Sequence, residues 1–163
     1  MSRSLRRLLT VAMILAASTF GSGRSSFADF ADGLEAYDAG DLQTAFEEWL
    51  PLAEAGDLQA QVALAGILET GGAGLARDLS AALAWYRRAA ERGDPVAQMN
   101  LGDRYARGAG LGRDPVQALA WFTLAAEQGR HWAARQRDAL SETMTPAQRT
   151  AAEDLAAQMR EAY

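Results

Sequence analysis

The chain has 163 residues and contains no cysteine, no lysine and a single histidine. Without cysteine there is no disulfide framework, no thiolate for metal or nucleophilic chemistry and no lipid-attachment site. Without lysine all 16 basic residues are arginine, a pattern of GC-rich codon usage that carries no mechanism. His131 has neither a cysteine nor a second histidine with which to build a zinc site or a nucleophile–base pair, and is read as a turn residue beside Trp132. A run of ~20 apolar residues, the length a membrane-crossing helix needs, is also missing. No metal or other cofactor is therefore expected.

The one apolar run that stands out, Leu8 to Ser18, follows Arg3, Arg6 and Arg7, and leads to the small residues Ser26 and Ala28 flanking Phe27. That order predicts a cleaved export signal over residues 1–28, with the cut after Ala28 and a periplasmic or secreted product. The Arg6-Arg7 pair leaves the twin-arginine route open beside the general one. Four of the 16 arginines and none of the 21 acids lie in residues 1–28, so Asp29 to Tyr163 carries 12 arginines and a net charge of −9. Such a surface repels phosphate backbones and anionic head groups, which argues against a nucleic-acid partner and against membrane insertion after cleavage.

What the chain has in quantity is self-similarity. Ala60, Gln61, Leu64, Leu68, Gly71, Gly74, Asp78, Ala82, Trp85, Tyr86, Ala89, Ala90 and Gly93 recur as Ala97, Gln98, Leu101, Tyr105, Gly108, Gly110, Asp114, Ala118, Trp121, Phe122, Ala125, Ala126 and Gly129. The offset is 37 residues before the glycine loop and 36 after it. A looser copy precedes (Tyr37, Gly40, Asp41, Ala45, Trp49, Ala53, Gly56, Asp57), and a half-copy begins at Ala133. A period of this length with aromatic and small anchors means stacked helix pairs.

Local signals agree. Asp114 is a good N-cap, Pro115 fits the first helical position and Gln117 has the capping-box spacing. Ala118, Trp121, Phe122, Ala125 and Ala126 then form one apolar stripe, and Gly129 supplies the left-handed residue that stops the helix. Gly40-Asp41, Gly56-Asp57 and Gly93-Asp94 repeat this punctuation. Thr145, Pro146 and Gln148 start a last helix to about Glu161, with Ala147, Ala151, Leu155 and Met159 as its expected buried side. Trp49, Trp85 and Trp121 recur at the repeat period and are expected as core anchors. The fold predicted is all-α, a right-handed α-solenoid of about eight helices in units of about 29–56, 57–93, 94–129 and 130–163, the last a C-terminal cap.

These marks resemble the Sel1-like repeat proteins of the tetratricopeptide-like superfamily: Ala60-Gln61 and Ala97-Gln98, each leading to a glycine-rich loop, an aspartate, an Ala-x-x-Trp-Tyr/Phe element and Ala-Ala-x-x-Gly. The resemblance runs from about Phe30 to the C-terminus, with one extra residue near Gly72. It implies a non-catalytic adaptor that binds a partner protein or peptide on the concave surface, as a monomer in the cell envelope. The outward positions of the inner helices are then Glu35 and Asp38, next Gln59, Val62, Glu69 and Thr70, next Met99, Asp103 and Arg107, with Arg135 and Asp138 continuing the row. Asp103 and Arg107, four apart, also fit an intrahelical ion pair. Two alternatives stay open: a periplasmic hydrolase like the cysteine-rich relatives that act on penicillin-like substrates, whose disulfides and serine nucleophile arrangement are missing here, and a self-associating structural spacer.

The glycine clusters at Gly71 to Gly74 and Gly108 to Gly112 lack the preceding strand and the Lys-Ser/Thr pair of a phosphate-binding loop, so they join helices. Glu47-Glu48 and Glu153-Asp154 are adjacent on helices and cannot face one cleft as an acid–base pair, so they are solvated faces.

Overall fold

A computed structural model describes residues 26–72 and 74–162; the expected export signal lies outside the described residues up to position 25. The described residues form eight α-helices: α1 Ser26–Asp38, α2 Leu42–Glu54, α3 Leu58–Thr70, α4 Leu79–Ala90, α5 Pro95–Arg107, α6 Pro115–Glu127, α7 His131–Thr143 and α8 Pro146–Glu161. The only β pairing among them is a single bridge, Gly72 with Leu75, that tightens the loop after α3.

Helix boundaries fall where the sequence placed its punctuation. Asp41, Asp57, Asp78, Asp94 and Asp114 each accept a backbone N–H of the following first turn. Gly93 closes α4 at φ +89°, its N–H donating to Ala90 O at 3.0 Å while the next N–H, of Asp94, donates to Ala89 O at 3.0 Å. That pair of bonds is a Schellman stop, and the residue completing it is already the N-cap of the next helix. Gly40-Asp41 and Gly56-Asp57 make the same double turn. Gly129 does too, but Arg130 stands where the aspartate would be, so α7 begins without a side-chain cap. Of the capping boxes only Thr145 with Gln148 is complete. Gln117 does not close the one expected at Asp114, because the Asp114 N–H already donates to Tyr105 O at 3.0 Å.

Helices pack as neighbours in chain order from α1 to α7, while α8 returns to lie on α6. The small residues of the repeat make this possible: Ala45, Ala60, Ala65, Ala82, Ala89, Ala97, Ala118 and Ala125 are fully buried, so neighbouring backbones approach closely. The recurring glutamine has a job of its own. Gln61 Nε2 donates to Ala53 O at 2.9 Å and Gln98 Nε2 to Ala90 O at 3.3 Å, each tying the start of one helix to the end of the one before it. Trp49 and Trp121 are buried anchors, but Trp85 is only half-buried, with the Arg88 guanidinium 4.7 Å over its ring. On α8 the buried residues are Ala152 and Ala156, with Leu155 and Met159 half-buried, whereas Ala147 and Ala151 are exposed. A strict four-residue step drifts off a 3.6-residue turn, which explains the shift.

Candidate functional site

The first helices of successive pairs, α1, α3, α5 and then α7, bring together the residues that have most surface to offer. Between α1 and α3 lies a hollow of about 440 Å³. Its α1 wall is Phe30, Leu34 and Tyr37, its floor includes Trp49, and its α3 wall includes Gly66, Glu69 and Thr70. Leu34 and Tyr37 remain 44% and 47% exposed, the large apolar side chains left in solvent among the described residues. The wall is held from below. Trp49 Nε1 donates to Phe30 O at 3.1 Å, and the Trp49 ring stacks on Phe30 (5.4 Å between centroids, 21° between planes) and tilts against Tyr37 (5.9 Å, 37°). Gly33 lets the indole reach the α1 backbone, since a Cβ there would stand 2.6 Å from Trp49 Cδ1.

A second hollow, of about 360 Å³, lies between α5 and α7 and is lined by Met99, Asn100, Asp103, Arg107 and Trp132. Trp132 meets Phe122 edge-on at 5.7 Å. Between the two hollows α3 and α5 are joined by an ion pair of Glu69 with Arg104, and Tyr86 Oη approaches Glu69 Oε2 at 3.4 Å. Burial first, and the neighbouring Arg107 charge second, lower the Arg104 pKa from its ordinary value; burial raises that of the Tyr86 hydroxyl. The row of helices therefore runs hollow, bridge, hollow.

The Sel1 repeat family matches residues 58–94 and 95–129, the second and third helix pairs. A solved Sel1 repeat protein from Oxalobacter formigenes is 30% identical, with a TM-score of 0.61, over 84% of this chain and 98% of that one. The chain belongs to the Sel1 repeat family. A second solved structure, a protective antigen present in uropathogenic Escherichia coli strains and displaying an SLR fold, is 32% identical with a TM-score of 0.78 over 85% of this chain. This chain spans 30% of the length of that antigen. No curated protein matches the chain. Sel1 repeats are generally protein-interaction scaffolds and typically non-catalytic.

Set on the Sel1 repeat framework, the sequence-predicted contact residues divide. Glu69 and Thr70 line the first hollow, and Met99, Asp103 and Arg107 the second. Glu35 and Asp38 are exposed on α1 beside Leu34 and Tyr37. Gln59 is exposed at the start of α3, while Val62 is half-buried against the core shared with later helices. Arg135 is exposed on α7, and Asp138 pairs there with Arg137 at 2.7 Å. The expected pair of Arg107 Nε with Asp103 Oδ1 forms at 2.7 Å. Glu69 is spent on Arg104, a contact spanning 35 residues that no local spacing reveals. The aromatic wall is not legible in the sequence: Tyr37 reads only as a repeat landmark, and Phe30 and Leu34 carry no motif. Among the described residues no helix is long and apolar enough to cross a membrane.

Proposed function

We propose that this Sel1 repeat chain is exported, cut after Ala28, and works in the periplasm as a monomeric, non-catalytic adaptor that holds a partner protein or peptide along α1, α3 and α5. The observation that carries this reading is the pair Leu34 and Tyr37, left 44% and 47% exposed over a preformed hollow. Exposed apolar side chains beside a concavity are what an interaction surface presents before its partner arrives. The export part rests on the arginine-led start, the short apolar run and the Ser26-Phe27-Ala28 site. It leaves Phe30 in place to stack on Trp49.

Two measurements test the reading. Fractionation with N-terminal sequencing is expected to find a chain beginning at Asp29 in the periplasm; an uncut chain in the cytoplasm refutes the location. Tagged wild type and two double variants, Leu34→Ser with Tyr37→Ser and Asp103→Arg with Arg107→Glu, are then used to recover envelope proteins. A protein held by wild type and lost by a double variant of unchanged helicity supports the adaptor role. Equal recovery by all three chains removes it.

A further inference from the structure

The charges of the chain are segregated along the solenoid. Residues 29–76 hold ten acids and no basic residue, whereas residues 77–163 hold all 12 remaining arginines against 11 acids. The aromatic hollow lies within the acidic half, between α1 and α3. Asp38 is exposed one turn on from Leu34, beside the α1 wall, and Glu35 is exposed elsewhere on the same helix. Among the described residues neither is paired with an arginine, and two arginines that reach Glu69 on the α3 wall are engaged there, Arg104 with its carboxylate and Arg77 through an Nε that donates to its carbonyl at 2.9 Å. Tyr37 adds a ring face, which attracts guanidinium and ammonium groups, and Leu34 adds an aliphatic rim.

From this juxtaposition we infer that the α1–α3 hollow takes a cationic peptide segment, one whose arginine or lysine side chains alternate with aliphatic anchors. The anchors fill the space over Trp49 beside Leu34. The cations lie against Tyr37 and meet Asp38, within the field of Glu35 on the same helix. An anionic segment would meet the half of the chain that holds ten acids and no basic residue, and a neutral one would leave that field unused. The inference rests on the adaptor reading and gives its partner a chemistry and a seat.

The test uses protein purified from cells expressing the full chain, with whatever N-terminus it then carries. Three capped, fluorescently labelled nine-residue probes are compared by anisotropy: alternating arginine–leucine, alternating glutamate–leucine, and alternating arginine–glycine. The expected result is saturable one-to-one binding of the arginine–leucine probe, at least about tenfold tighter than either of the others. Raising salt from about 0.05 to about 0.3 M should weaken it several-fold. Leu34→Ser with Tyr37→Ser should lose about tenfold or more. Glu35→Gln with Asp38→Asn should lose several-fold and flatten the salt dependence, while the remote pair Glu153→Gln with Asp154→Asn changes nothing. Circular dichroism and melting confirm that each variant is folded.

Equal binding of the glutamate–leucine probe, or equal losses from the near and remote acid pairs, overturns the inference as nonspecific attraction. If no probe binds while an envelope protein is still recovered through Asp103 and Arg107, the cationic occupant falls and the adaptor reading stands. If none binds and nothing is recovered, both fall.

Discussion

Two glycines on the first helices of their pairs should respond to the same substitution with opposite signs. Gly102, on α5, is overlain by Phe122 of α6: a Cβ there would stand 2.6 Å from Phe122 Cδ1 and 2.7 Å from Cε1. Ordinary carbon contacts lie at ~3.5–4.0 Å, so the ring must move by about 1 Å. It has little room, being 1% exposed and packed among Ala118, Ala125 and Ala133 with Trp132 against it. Gly102→Ala gains about 1 kcal/mol of helix propensity and loses about 3 kcal/mol to overpacking, the upper end of the usual range, a net loss of about 2 kcal/mol. At Gly66, on α3, the nearest atom is Tyr86 Oη at 3.9 Å, an ordinary contact. Gly66→Ala therefore keeps the propensity gain of about 1 kcal/mol. Urea unfolding followed at 222 nm should rank the midpoints Gly66→Ala, wild type, Gly102→Ala, with roughly 2 M between the extremes if the slope is about 1.5 kcal/mol/M. In a Phe122→Leu background the Gly102→Ala penalty should shrink. A Gly102→Ala midpoint at or above wild type, or an undiminished penalty beside Phe122→Leu, would show that the ring is not the cause.

Three further outcomes follow from the same geometry. Arg130→Asp gives α7 the side-chain cap its neighbours have and should raise stability by about 1 kcal/mol, read as a rise of about 3 °C in Tm. Gln98→Leu removes the bond to Ala90 O and leaves that carbonyl without its side-chain donor, while Gln128 Nε2 loses Gln98 Oε1 but keeps Gly93 O at 3.1 Å, and it should cost about 1–3 kcal/mol in urea unfolding. Gln61→Leu should cost less, because Gln61 Oε1 is already buried without a partner. The Asp41 carboxyl is held below its ordinary value of 3.8 by the Thr44 hydroxyl and then by backbone N–H groups. Its stabilisation of α2 is thus complete well above that value and is lost as pH falls through the lower folded pKa. Amide protection at Thr44 should drop on acidification below about pH 4 in wild type and show no such step in Asp41→Ser.

Almost the whole scaffold was legible without coordinates because its signals are local. An aspartate that caps, a proline at a first turn and a glycine with positive φ act within four or five residues, and the repeat places them again at each unit. Where reading along the chain failed, the deciding contact came from elsewhere. The Asp114 box stayed open because Tyr105 had already taken the backbone N–H, and α8 turned one position because α6 decides which side is covered. Trp85 matches Trp121 in the repeat yet ends half-buried.

The site divides along the same line. Sequence alone determined that a row of first helices exists and that all its cations lie beyond residue 76. Tertiary structure decided which of those residues share a hollow, that Glu69 is claimed by Arg104, and that Phe30, Leu34 and Tyr37 form a wall over Trp49. The physical reason is range: caps and helical periodicity are set by neighbours a turn away, whereas a groove is the space left between helices whose separation depends on every side chain packed beneath them.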